Sequence, residues 1–248
     1  AGFSWEQNEI FLWKLNTTTA FRAPNIDDIG KIFDSQPGCV VIPNSSLDPE
    51  YAYGCELGLN ININNSLLLD ITSFYTHLDN AITRDFISIN GVSEIFYDGE
   101  LCQTQAVQNS SEARIYGFEV GFKAMLSNSF EITSQYSLTK GRQKDNQNFD
   151  TPVRHVAPEF GNIHLIWKGD KISIDGFLNY NGILKREDIS HELSNHLFAQ
   201  DQNGYPYSPA WYTLNLRTQF KFSDTLSFIG SIENILNEGY RPFVSRFS

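Results

Sequence analysis

Residues 211–222 read Trp-Tyr-Thr-Leu-Asn-Leu-Arg-Thr-Gln-Phe-Lys-Phe. Tyr212, Leu214, Leu216, Thr218, Phe220 and Phe222 share one parity, and Thr213, Asn215, Arg217, Gln219 and Lys221 the other. A period of two over such a run puts one face in apolar surroundings and the other in polar ones. Strands of globular domains average about 5–6 residues. One of twice that length suits a slanted strand crossing a bilayer, which needs about 9–11. The apolar row carries no charge. The polar row holds Arg217 and Lys221, and a wet lumen tolerates them, whereas a cation facing lipid at mid-bilayer costs about 2–4 kcal/mol.

The same alternation recurs along the chain. Residues 9–21 align Phe11, Trp13, Leu15, Thr17, Thr19 and Phe21, and residues 53–63 align Tyr53, Cys55, Leu57, Leu59, Ile61 and Ile63. Further strands are predicted over 67–78, 114–126, 131–139, 160–168, 171–183 and 226–236, with the tail 240–248 able to begin another. Short turns fall at 64–66, 127–129, 168–170 and 223–225, while long connections fall at 22–50, 80–112, 141–158 and 185–209. Short turns at one end and long loops at the other mark an outer-membrane barrel. A soluble β-sandwich binding module also alternates, but with shorter strands and without sorting its loops by length. The fold class expected is therefore all-β: an antiparallel transmembrane β-barrel portion with about nine or ten strands. Such an open sheet leaves two edges of unpaired N–H and C=O groups, each costing several kcal/mol in hydrocarbon. Residues 1–248 are accordingly read as one part of a larger barrel.

Composition agrees. Aromatics make up 14% of the chain and charged residues 19%, and mean hydropathy is −0.31. That value is compatible with a barrel, because alternate residues are polar. No run of about 18 apolar residues encodes a membrane-spanning helix. The net charge of −11 argues against a nucleic-acid partner, which needs clustered Lys and Arg. Trp13, Trp167, Trp211, Tyr212 and Phe220 fit interfacial girdles. Cys39 and Cys102 fall in stretches read as outer loops. A bridge between them in an oxidising compartment is one expectation, and three separate thiols, counting Cys55, is the other. The chain starts at Ala1 with no signal segment and is read as a mature or truncated piece.

Three boxes carry a resemblance. Phe21-Arg22-Ala23-Pro24 closes the first long strand, Pro43-Asn44-Ser45-Ser46-Leu47-Asp48-Pro49-Glu50 precedes the next, and Glu233-Asn234-Ile235-Leu236-Asn237-Glu238-Gly239-Tyr240 lies near the end. In order and spacing they resemble the FRAP box, the PNL-x-PE box and the penultimate segment of TonB-dependent outer-membrane receptors. The resemblance spans about residues 10–247. It implies the C-terminal portion of a 22-stranded barrel in the bacterial outer membrane. It also implies an N-terminal plug domain absent from this chain and an inner-membrane energy-coupling protein that acts through that plug. The cargo implied is an iron chelate, haem or siderophore. Haem receptors of the family carry a His between the first two boxes, but residues 25–43 hold none, so axial haem ligation by this loop is not expected. The alternative within the family is an importer of vitamin or glycan.

Candidate substrate-binding residues are Arg22 and Asn44 in the boxes and His191, His196 and Tyr205 in the loop 185–209. Guanidinium pairs with carboxylates bidentately. Imidazole and phenolate ligate iron. The plainer readings are a wall ion pair for Arg22 and solvated loop histidines for His191 and His196. His77, His155 and His164 read as ordinary loop or lumen polarity, with His164 on the polar row. Asp27, Asp28, Asp34, Asp48 and Glu50 load the first long loop with negative charge, which reads as solvation or as a calcium or basic-protein contact. No nucleophile elbow, phosphate loop or His-Glu-x-x-His is present, so no enzyme, cofactor or resident metal is expected.

Overall fold

The computed structural model describes residues 1–109, 112–144, 149–190, 198–241 and 243. Ten strands follow one another through a single antiparallel sheet. They are β1 (Gly2–Glu6), β2 (Phe11–Arg22), β3 (Glu50–Ile63), β4 (Leu67–Asp79), β5 (Glu112–Met125), β6 (Phe130–Lys144), β7 (Phe160–Lys168), β8 (Ile172–Asn181), β9 (Trp211–Lys221) and β10 (Ser227–Ile232). Each pairs with its chain neighbours, and a short segment, Asp150–Pro152, adds to β6 at its upper end. β1 and β10 are the two edges and do not pair with each other.

The predicted strands are all present. Sequence reading gives nine; the tenth is β1, whose Trp5 lies opposite Trp13. β6 extends five residues beyond the predicted end at 139, because its upper rungs carry Lys140, Arg142 and Lys144 and so lack the apolar signature. The turn at 64–66 owes its form to Asn64 and Asn65. Their φ values of 52° and 56° are the left-handed pair that a tight hairpin needs, which Asn tolerates. β10 ends where Asn234 takes φ 50°. Beyond it only Arg241 and Phe243 of the tail 241–248 are described, so the further strand expected at 240–248 falls largely outside the described residues.

The rows separate as expected. The row of Tyr212 (51% exposed), Leu214 (38%) and Phe222 (59%) has nothing packed on it, whereas Thr213 and Asn215 are buried. Across the sheet Leu69, Phe122, Ser134, Ile163, Leu178 and Leu214 share one outward rung. Asp70, Gly121, Gln135, Asn162, Asn179 and Thr213 share the inward rung beside it. One exception is Trp211, expected in the girdle. It belongs to the inward row opposite Asn181, its ring against Tyr240 at 4.3 Å.

The packed core lies elsewhere. The long connections 23–49 and 80–111 are not irregular. They fold together into a second, five-stranded sheet of Phe33–Gln36, Cys39–Ile42, Ile82–Phe86, Glu94–Tyr97 and Glu100–Asn109. Cys39–Ile42 from the first loop runs parallel to Glu100–Asn109 from the second. Val40, Val41, Thr104 and Gln105 are essentially sealed there. A single turn of helix, α1 (Ile26–Ile29), leads into this sheet, capped by Asn25 and Asp28 in a reciprocal capping box.

Candidate functional site

The two boxes flanking the first long loop meet at the top of the wall. Arg22 and Glu50 are cross-strand partners on the inward row, with Nε 3.9 Å from the carboxylate. The other Glu50 oxygen accepts the Ile82 N–H at 2.7 Å, so one carboxylate ties β2, β3 and the second loop. Asn44 is committed as well. Its Nδ2 donates to Val107 O at 3.0 Å, and its Oδ1 accepts from Ser46 N and Ser46 Oγ. Asn109 donates to Asp48 O and Asn80 O and accepts from Asp48 N. The boxes thus fasten two loops into one platform over the barrel mouth. Sequence reasoning missed this platform, although the short apolar run Cys39–Ile42 and the Asp98-Gly99 turn (φ 45° and 89°) are its local signals.

The candidate loop residues fare differently. Tyr205 is half-exposed under the Arg186 guanidinium, 4.0 Å from its ring centroid. His191 and His196 lie outside the described residues. Arg22 and Asn44 share the platform base. Tyr205 belongs to a different loop, whose own small core is Leu184 and Ile189 packed by Phe198 and Phe243.

The inward wall is mostly polar, with Phe74, Phe177 and Trp211 among its apolar members. A cavity of about 340 Å³ rests against it, bordered by Asp70, Thr72, Glu119, Gln135 and Asn162. Toward the short-turn end, Glu131 receives Lys168 at 2.8 Å and Lys123 at 3.3 Å. His164 takes its expected place on the polar row. Its Nδ1 is 3.0 Å from Asp175, and its ring stacks on Phe177 at 4.8 Å. Arg217 covers Phe177 as well, 5.5 Å from its centroid. Among the described residues no group of three His, Cys, Asp or Glu side chains is arranged to hold a metal ion.

The cysteines separate by environment. Cys39 and Cys102 are buried in adjacent strands of the platform, Cys39 opposite Gln103 and so one residue off the Cys102 rung. No disulfide is formed among the described residues. Burial, then the Asp34 and Glu100 carboxylates, push the Cys102 thiol above its ordinary value. Cys55 is exposed on the outward row opposite Tyr75.

The third box has a physical reading too. Asn234 N donates to Asn215 Oδ1 at 2.8 Å, which continues the inward row past the end of β10. The Asn234 side chain then closes a turn, accepting from Glu238 N and donating to Glu238 O, both at 2.9 Å. Tyr240 lands on Trp211.

Comparison with known proteins bears on this architecture. The family described as "TonB dependent receptor-like, beta-barrel" matches residues 1–235. The chain is 23% identical over 236 residues to an iron-regulated outer membrane virulence protein of Vibrio cholerae, covering 94% of this chain and 34% of the relative. It is 23% identical over 263 residues to a hemoglobin and hemoglobin-haptoglobin-binding protein of Haemophilus ducreyi, covering 97% and 26%. The chain therefore spans about a third or less of the length of these curated relatives. Among solved structures, the copper transporter OprC superposes with a TM-score of 0.74 at 14% identity, over 98% of this chain and 34% of that one. The siderophore receptor PirA of Acinetobacter baumannii gives 0.69 at 17%, over 96% and 36%.

Proposed function

Since the chain belongs to the TonB-dependent receptor family, as part of its outer-membrane β-barrel, we propose that it serves the energy-coupled uptake of an iron chelate, haem or siderophore. The observation that carries this reading is sequence likeness over nearly the whole segment to two proteins, one named as iron-regulated and the other as haemoglobin-binding. The wall is consistent with it. A largely polar inward row can border an aqueous path, and the apolar stretch of the outward row can face lipid. In this proposal a plug domain outside residues 1–248 fills the lumen, and an inner-membrane coupling protein acts on that plug. Arg22 and Asn44 hold the mouth platform in shape, while Tyr205, His191 and His196, which share the loop 185–209 in sequence, are proposed to meet cargo. The family's members are transporters rather than enzymes.

Deleting the gene in its host and growing the strain in iron-depleted medium tests the reading. Haem, a catecholate siderophore, a hydroxamate siderophore and a copper salt are supplied separately. Loss of growth on one iron source, restored by the intact gene, is the expected result. Unchanged growth on every iron source rejects iron cargo, and a defect confined to copper limitation would reassign it.

A further inference from the structure

We propose that two hairpins of the mouth platform, in the connection 80–111, form a docking surface for a cationic polypeptide. The surface is separate from the loop 185–209 assigned to cargo, so it stands whichever cargo the receptor carries.

Shape and exposure come first. One hairpin turns at Asn90-Gly91, with φ values of 51° and 83°, and closes by reciprocal hydrogen bonds between Ile89 and Val92 at 2.8 and 3.0 Å. The other turns at Asp98-Gly99, with Glu94–Tyr97 antiparallel to the start of Glu100–Asn109. Left-handed pairs of this kind make tight two-residue turns that match the twist of their strands. The sealed Thr104 hydroxyl lies 2.7 Å from Ile87 O and 3.0 Å from Ser93 O, which clips the two hairpins together at their base. Loops held in this way lose little freedom when a partner lands on them. On the second hairpin Phe96 and Leu101 are cross-strand partners, 75% and 62% exposed. Ile95 and Cys102, the neighbouring pair, belong to the opposite face, and there Cys102 is buried. The hairpin thus has one packed face and one open face, and the large apolar pair is on the open one. Val92 of the first hairpin is exposed as well. These side chains are outside the strands that cross the bilayer, and an open apolar pair in such a place marks a contact site.

Charge chooses the partner. The platform segments 23–49 and 80–111 hold eight carboxylates against two cations, Lys31 and Arg84. Both of those cations lie over the Phe33 ring. Among the described residues no ion pair engages Asp34, Glu94, Asp98 or Glu100. Asp34, Asp98 and Glu100 instead border a cavity of about 450 Å³, together with Tyr97 and Cys102. Burial, then Asp34 and Glu100, hold the Cys102 thiol above its ordinary value, so the field of the two carboxylates reaches into that cavity. A guanidinium or ammonium entering there meets carboxylate acceptors and a phenol ring. An apolar side chain beside it in the partner would cover Phe96 and Leu101. The same negative charge repels an anionic bilayer surface and a second copy of this hairpin.

The test uses the intact receptor in zwitterionic lipid nanodiscs, with empty discs as the blank, and three short peptides of alternating sequence: Arg-Leu, Glu-Leu and Arg-Gly. The Arg-Leu peptide should bind at least about tenfold more tightly than either of the others, and rising ionic strength should weaken it. Phe96→Ser with Leu101→Ser should bring Arg-Leu down to the level of Arg-Gly. Asp98→Asn with Glu100→Gln should weaken Arg-Leu and flatten its salt dependence. Equal binding of Arg-Leu and Glu-Leu overturns the proposal, as does binding of Arg-Leu that neither double variant alters, or no binding at all. A second measurement needs no folded double variant. Phe96→Cys in a Cys55→Ser receptor should react with a membrane-impermeant maleimide on whole cells as fast as the same receptor does in denaturant. Strong protection on cells would mean that another part of the receptor already covers the hairpin, and would overturn the proposal.

Discussion

Single residues do distinct jobs here, and some carry more than one. The Glu50 carboxylate holds Arg22 and the Ile82 N–H together. Glu50→Ala leaves that buried-side donor and the guanidinium without their partner, a loss of about 1–3 kcal/mol. The platform should then exchange its amide protons faster at 82–86 and 100–109 while the wall is unchanged, as hydrogen exchange can measure. Glycines differ in the same way. A Cβ at Gly117 would lie 2.0 Å from Leu138 O, inside the backbone of β6, whereas one at Gly176 meets nothing within 4 Å. Gly117→Ala should therefore lower the yield of folded receptor and Gly176→Ala should not, as heat-modifiable migration will show. For Cys102 the sign follows from its raised thiol value. The folded thiol ionises at higher pH than the unfolded one, so the platform loses stability as pH climbs from the ordinary thiol value toward the folded one. In a receptor with Cys39→Ser and Cys55→Ser, iodoacetamide should label Cys102 at pH 8 at least about tenfold more slowly than in denaturant.

Among the elements, long strands were legible and the platform was not, for a physical reason. In β9 one face meets hydrocarbon and the other a polar lumen, so alternation is enforced at every residue and survives in the sequence. A two-sided buried strand such as Cys39–Ile42 needs apolar groups on both faces and shows only a four-residue run. Only one of its two partners, Phe33–Gln36, is close in sequence; the other, Glu100–Asn109, belongs to the next long loop, and the sealed Thr104 and Gln105 look like surface residues until the first loop covers them. Parity also fails where a strand leaves the membrane, which is why the upper rungs of β6, with Lys140, Arg142 and Lys144, read as loop in the sequence. The row assignment itself has a direct check. Ile163 is outward and Gln135 inward, on neighbouring rungs. Ile163→Arg should cost about 2–4 kcal/mol near mid-bilayer and Gln135→Arg much less, measured by urea unfolding in vesicles.

For the whole molecule, the informative fact is the pair of unjoined edges at β1 and β10. Backbone groups left facing hydrocarbon cost several kcal/mol each, against a folding free energy of about 5–15 kcal/mol. Residues 1–248 expressed alone should not give heat-modifiable migration or protease protection in vesicles. The resemblance seen in the three boxes was enough to place the chain in its family. The candidate cargo residues were less legible, because a loop residue's role depends on which other loops surround it, and half-written patterns such as Arg22 and Asn44 turn out to be fasteners within the platform.

That platform is woven from two connections separated by β3 and β4, with one strand of each lying parallel and side by side. Neither connection contains a complete sheet, so the pair is a single unit of exchange. A chimaera that grafts residues 23–49 from another receptor and keeps 80–111 would orphan both halves. Transplanting the two together should keep the mouth intact, and any natural shuffling of specificity at this rim would have to move them as one.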